Sequence, residues 1–533
     1  MTLKALKIGA ILLALFMLLP VISIFIELFY ILIQSFNSQN LTEIVTIKEN
    51  LAHFFNYLFL KFVKDTFIVT IGVVILSLFL GLTTAYLIAN FNFYFSKVLE
   101  NILILPLAIP AYILAFVYVG IMDFNGFFHN TFGIRIDFFN IYGVIFVLAI
   151  SLYPYVYLFA KTSFKTEAKE VYELAKISHY TEFKFFRKFA LLIARPAILA
   201  SIMLIVMETL SDYGASAYLG MDTFSAGIFK LWYDLSDSYS ASVLSGFLML
   251  FIFLLMFIEY QYKMKKKYSF NQNLTHSLPK RRLSRIQQIF ASLYCLIIAA
   301  VGFIIPFIWL IFWALKDEKL LQSEFYIIAF KTLALAFLSA LIIVALALFL
   351  SFIARIVKNN LLAIFILKTS SLGYAIPGAA IGISIMIAFI FLDKISGTSL
   401  FGQSLVVLVF AYIIRFLATA IYSLESGYTK IHHCIDEASL HLKVSYWNLF
   451  SKVHLPLLKH FLLLAFIVAF IDIVKELPLS RILAPFGFET LSVKAFWYAT
   501  DERIYDAALP SLLIVLLSLL ALMIFTRKND VTT

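Results

Sequence analysis

The side chains able to do chemistry in this chain are few, and they sit at the edges of apolar runs. Glu208, Asp212 and Tyr213 come at the end of one such run, and Glu476 comes at the comparable place much later in the chain. Carboxylate and phenol oxygens are hard donors suited to a hard cation, and the same groups at the end of a membrane helix also serve as wetted anchors. Arg415 lies inside another apolar run, where a guanidinium either reaches for the interface or pairs internally. "HHC" at 432–434 invites a metal reading, but adjacent ligands without a second cluster do not make a tetrahedral set. No clustered acid-base or metal set of the kind an enzyme needs is apparent. No GxxxxGK[ST] stretch occurs either, so the phosphate-cradling loop of an ATP hydrolase is expected on another chain. The expectation is a protein that is not an enzyme and binds no cofactor of its own.

The elements that must position these residues are membrane spans. The 533 residues are 62% hydrophobic and only 14% charged, with 57 Phe and 28 Tyr and a mean hydropathy of +0.96. A soluble chain of this length would need far more polar surface around its cores. About 20 largely apolar residues make one span, and such blocks fall near 8–34, 66–90, 99–121, 141–160, 191–211 and 241–260, then near 286–315, 332–354, 371–392, 403–424, 457–474 and 506–526. The N-terminal run is too long for a signal peptide and reads as a retained first span. Cys295 lies in an apolar run and Cys434 in a polar one, so no disulfide framework is implied.

Basic loops stay on the cytoplasmic side, and twelve spans with the N-terminus inside put most of the 42 Lys and Arg residues there, with both termini cytoplasmic. The strongest basic block, 263–285, carries eight Lys or Arg residues and reads as a solvated linker with a topogenic role rather than a nucleic-acid site. It divides the chain into a first six-span half (1–262, core about 60–260) and a second (286–533, core about 328–526). The halves echo each other. "ELAKISHYTEFKFFRKFALL" (173–192) aligns without a gap on "EASLHLKVSYWNLFSKVHLP" (437–456), "LPLAIPAYILAF" (105–116) is answered by "LGYAIPGAAIGI" (372–383), and "DTFSAGIFKLW" (222–232) by "ETLSVKAFW" (489–497). Six spans is an even number, so the repeats are expected to be parallel, with a pathway between them. Pro110 and Pro377 fall at matching places in the third span of each half, where proline is expected to kink a pathway-lining helix.

The repeated polar segment resembles the cytoplasmic motif of permease subunits of binding-protein-dependent importers of the ATP-binding-cassette type: Glu-Ala-Ala, three residues, Gly, nine residues, Ile-x-Leu-Pro. Glu437, Ala438 and Ser439 open the second copy, and Leu455 and Pro456 close it. Glu173, Leu174 and Ala175 open the first. The glycine position holds His179 in one copy and Lys443 in the other. Longer stretches, above all "VKELPLSRILAPFGFETLSVKAFWYATDERIYDAALPSLL", resemble the fused twelve-span permeases of ferric-iron importers, and a thiamine importer permease has a similar plan. The resemblance implies an all-α type I permease fold in the bacterial inner membrane. It also implies a periplasmic binding protein, two copies of a cytoplasmic ATPase that uses the ATP, and coupling helices formed by the two motif segments. Ferric iron is the implied substrate, which makes Glu208, Asp212, Tyr213 and Glu476 pathway candidates beside Pro110 and Pro377. A twelve-span secondary transporter is the alternative class, and it should carry its coupling charges within the spans.

Overall fold

The computed structural model describes residues 3–37, 41–124, 126–165, 172, 175, 177–265, 280–317, 323–357, 360–397 and 404–530. Ten helices in these residues are long and apolar enough to cross a membrane. Two further pairs, each bent at a short break, bring the number of spans to twelve.

The first span is one of the bent pairs: α1 (Leu3–Phe16) and α2 (Leu19–Asn37) meet at 47°. The first half continues through α3 (Phe59–Asn90), α4 (Ser96–Ile102), α5 (Ala111–Met122), α6 (Ile141–Lys165), α7 (Arg195–Ser211), the short α8 (Gly214–Tyr218) and α9 (Phe224–Phe229), and α10 (Ser238–Lys265). The second half repeats this order. After α11 (Arg285–Ala299) come α12 (Ser323–Ile356), α13 (Asn360–Ser371), α14 (Gly378–Ser396), α15 (Leu405–Tyr428) and the polar α16 (His433–His441), then α17 (Leu455–Lys475), α18 (Pro478–Leu483), α19 (Leu491–Thr500) and α20 (Ile504–Asp530). The correspondence reaches single hydrogen bonds. Thr66 Oγ1 accepts from the Phe224 N–H at 2.9 Å, and Thr332 Oγ1 accepts from the Leu491 N–H at 3.0 Å.

Without a hydrophobic force between helices in lipid, close approach through small residues does much of the packing. In the first half α3 runs along α6, and a Cβ on Gly81 would lie 2.5 Å from the Val156 Cβ and 2.9 Å from the Tyr153 carbonyl. Large apolar side chains such as Ile75 and Phe330 point outward, as a lipid-facing surface requires.

The first span of each half packs on the other half. The Ser23 hydroxyl of α2 donates to the Ser384 carbonyl of α14 at 2.9 Å, and the Tyr118 hydroxyl of α5 donates to the Val301 carbonyl just beyond α11. The two halves are thus clasped by an exchanged helix at each end of the sequence repeat.

The prolines of the third spans do not kink a continuous helix. A 3₁₀ turn at Leu105–Ala108 precedes Pro110, and another at Leu372–Tyr374 precedes Pro377. Each of these two prolines then sits extended, at φ −55°, ψ 145° and φ −58°, ψ 141°, as the residue before the first turn of α5 or α14. Proline disfavours helix in the residue before it, so the span is broken and restarted. The breaks leave backbone carbonyls, including that of Leu107, free to take other donors.

Candidate functional site

Two places gather the residues singled out above: a polar segment at one end of the bundle and a cavity between the halves. The polar segment is best seen in the second half. Asp436, in the first turn of α16, is held by Arg355, which donates from Nε to Asp436 Oδ2 at 2.7 Å and from its terminal nitrogens to the Tyr428 and Ile431 carbonyls at 2.9 and 2.7 Å. Glu437 and Ala438 are exposed beside Leu442, 78% exposed. The first copy presents Ile177, 75% exposed, while Ala175 is buried; Glu173 and Leu174 lie outside the described residues.

The bend that a glycine would make is made without one. His179 has φ +55° and Lys443 φ +54°, and the chain closes behind them by the same hydrogen bond, Tyr180 N–H to Ala175 O and Val444 N–H to Ser439 O, both 3.0 Å. This is the six-to-one closure of a Schellman turn, whose left-handed position normally favours glycine. Both copies then enter the fifth span through a π-helical turn, at Phe186–Ala190 and Leu449–His454. Leu455 and Pro456 open α17 directly after the second. In the first copy Leu192 stands at the matching position, and the chain bends by 71° before α7.

The cavity has a volume of about 240 Å³ and is walled by both halves. It takes Pro110, Glu208, Asp212, Tyr213 and Glu476 into one wall system with Tyr155, Tyr374, Arg415, Asp472 and Lys475. Pro377 is not in the lining, but the residue after it abuts the site: a Cβ on Gly378 would lie 2.8 Å from Glu476 Oε1 and closer still to the Arg415 guanidinium. Arg415 Nε pairs with Glu476 Oε2 at 3.3 Å. Two contacts between residues of this lining bridge the halves: the Tyr374 hydroxyl donates to Glu208 Oε1 at 3.1 Å, and Lys475 Nζ donates to the Leu107 carbonyl, freed by the break before α5, at 2.9 Å. Four carboxylates face two cations here, so the wall carries a formal charge of −2.

The carboxylates divide by task. Asp212 Oδ2 accepts from the Ser216 N–H and hydroxyl, both at 2.9 Å, in the first turn of α8. Glu476 Oε1 accepts from the Leu479 N–H of α18 at 3.2 Å. Both serve as N-terminal acceptors of a short helix, a role that suits a carboxylate and the helix dipole. Glu208 and Asp472, one helical turn earlier at the same place in each repeat, are not spent this way. Tyr155 and Tyr374 lie within electrostatic reach of both. The Tyr112 hydroxyl, buried in the same wall, has no hydrogen-bond partner among the described residues.

Tyr213 separates this cavity from a second one, of about 230 Å³, lined by Asp222, Lys230, Tyr233, Asp234 and Arg481. Arg481 donates to the Tyr213 hydroxyl and lies over the rings of Tyr213, Phe229 and Phe496. Burial alone would raise the Asp222 carboxyl, but hydrogen bonds and charge from Lys61 at 2.5 Å and Lys230 at 2.9 Å hold it below the usual carboxylate range. Its stabilising contribution is therefore complete above that range and lost only as the pH falls through the lowered value.

The model for "binding-protein-dependent transport system inner membrane component" matches residues 77–264 and again 347–530. The chain belongs to this family. Its two matched segments are the two helical repeats described above, so a pair of permease units is joined in one polypeptide. Among its relatives, the Fe(3+)-transport system permease protein FbpB 2 of Haemophilus influenzae is 25% identical over 467 residues, covering 86% of this chain and 88% of the relative. The putative ferric transport system permease protein FbpB 1 of the same organism is 21% identical over 528 residues, covering 92% and 77%.

Sequence reading missed Asp472 and Lys475 because they close an apolar run and looked like its edge. The usable signal was their spacing: Asp472 and Glu476 are four apart, hence on one helix face, and Asp472 repeats Glu208 at the offset of the motif segments. Arg415 pairs internally. Among the described residues no three His, Cys, Asp or Glu side chains are grouped to hold a metal, and Cys434 is exposed while Cys295 is buried.

Removing one partner of a buried ion pair strands the other. Arg415→Met should therefore destabilise the permease by about 3–5 kcal/mol, and adding Glu476→Gln should recover most of the loss, read by thermal unfolding in detergent. At the two left-handed positions the expected sign is opposite. His179→Gly and Lys443→Gly should each raise the melting temperature, by relieving about 1 kcal/mol of backbone strain.

Proposed function

We propose that this permease imports ferric iron as the membrane subunit of an ATP-binding-cassette system, and that the cavity between its halves is the point the ion must pass. The observation that carries the reading is the cavity itself: a polar, net-negative chamber in an apolar bundle, walled by equivalent positions of two repeats. Glu208 and Asp472, with the phenols of Tyr155 and Tyr374 nearby, offer hard oxygen donors to a hard cation. The names of the two Haemophilus relatives point to the same substrate. A periplasmic binding protein would deliver the ion, and the second cavity adjoins the first at Tyr213.

The contacts that span the cavity, Tyr374 to Glu208 and Lys475 to the Leu107 carbonyl, tie the two halves together across it. Opening requires the halves to separate there, which is the motion expected of alternating access in a two-repeat transporter. The driving force enters at the polar segments. Exposed Leu442 and Glu437 in the second segment and exposed Ile177 in the first offer surfaces on which two cytoplasmic ATPase subunits would seat, one per repeat. Arg355 ties Asp436, in the first turn of the second segment, to the end of α12, so a push on that segment is passed to the spans.

Two experiments on the complete complex in proteoliposomes test this. Glu208→Gln with Asp472→Asn should lower ferric-iron uptake at least tenfold while ATP hydrolysis still responds to the loaded binding protein; undiminished uptake, or uptake of thiamine in place of iron, would refute the reading. Replacing Glu173 and Glu437 together by Ala should uncouple hydrolysis from uptake or release the ATPase, and full transport would exclude the docking role.

A further inference from the structure

The basic linker between the halves was expected to be solvated, and at its far end it is not. Residues 281–282 pair in parallel with Phe91–Asn92, the stretch that follows α3. The Arg281 side chain is only 13% exposed. Its guanidinium lies 3.8 Å from the centre of the Tyr172 ring and within 6 Å of the rings of Phe91 and Phe185. One of its terminal nitrogens donates to the Glu182 carboxylate, which also accepts from the Tyr172 hydroxyl at 2.7 Å. A linker arginine thus sits under the first polar segment, clamped between residues on both sides of its bend.

The second half shows what that guanidinium replaces. The offset of 266 that matches Thr66 to Thr332 also matches Tyr86 to Phe352. These two rings do the same job, Tyr86 packing on Phe186 and Phe352 on Phe450. In that register Arg355 corresponds to Ala89, which is buried and can offer no charge. Its partner Asp436 corresponds to Tyr172 at the offset of 264 that aligns the polar segments. Each position of the Arg355–Asp436 pair has therefore changed in the first half, and a guanidinium has returned from elsewhere in the chain to the position beside Tyr172. A planar guanidinium suits both forms, bonding to a carboxylate and carbonyls in one half and stacking on a phenol ring in the other.

We infer that Arg281 is a positioning residue for the first coupling segment, supplying from the linker the guanidinium that Arg355 supplies within the second half. The linker is then part of the coupling apparatus as well as a tether. The two segments are braced to different bodies: the second to α12 of its own half, the first to the junction that connects the halves. Relative movement of the halves is felt directly at the first segment.

The effect on transport rests on the docking role proposed above, but the brace can be tested apart from it, by hydrogen exchange of the purified full-length protein. Arg281→Ala should speed amide exchange at least tenfold in residues 177–186, with residues 436–446 unchanged. Restoring the second-half arrangement, by Ala89→Arg with Tyr172→Asp in the Arg281→Ala protein, should return exchange to within about threefold of the original. Unchanged exchange in Arg281→Ala, equal acceleration in both segments, or failure of the transplanted pair to slow exchange would each overturn the brace. None of these outcomes depends on Glu173 or Glu437, so failure of the docking role remains a separate result.

Discussion

An ionised side chain held among apolar helices has to find an opposite charge, a hydrogen-bond donor or a polar chamber, because lipid offers none of these. The centre of this permease is arranged around that constraint. Two carboxylates are satisfied by the first turns of short helices, one of them also by a guanidinium lying against a glycine. The ammonium of Lys475 takes a carbonyl that exists as an acceptor only because the third span is broken. Broken helices and buried charges thus depend on one another, since each supplies what the other lacks.

Duplication supplies the frame on which this balance is built. Equivalent threonines close equivalent helix starts, and equivalent residues adopt the left-handed bend of the polar segments although neither is glycine. A backbone geometry that survives in two copies without its preferred residue is specified by the surrounding hydrogen bonds rather than by local preference. Divergence has proceeded where a neighbour can compensate. Arg415 has Ser151 as its counterpart, and Lys475 has Ser211, so both cations of the chamber come from the second half. The first half contributes carboxylates and phenol groups to match.

The exchanged first spans and the buried end of the linker show how two copies become one machine. Each clasp crosses the boundary between the repeats, through Ser23 on Ser384 and Tyr118 on Val301. The parallel pairing at Phe91 and Arg281 adds a connection next to a polar segment, away from the chamber. Any movement of one half against the other would strain these contacts together with the bridges across the chamber.

Hydropathy alone determined that the chain crosses a membrane in about twelve spans, and self-similarity alone determined that it does so as two repeats, because lipid imposes a length and a composition that can be read without neighbours. The polar segments and Glu208, Asp212, Tyr213 and Glu476 were legible for the same reason: a polar residue beside an apolar run stands out. What stood inside a run's edge, Asp472 and Lys475, did not stand out. Which carboxylate caps a helix and which faces the chamber was decided only when α7, α8, α17 and α18 came together. The tertiary structure also decided that the prolines restart helices rather than bend them, and that a linker arginine returns to brace a segment some hundred residues earlier. Partnership across distant parts of the chain is a property of packing, and no local pattern of residues encodes it.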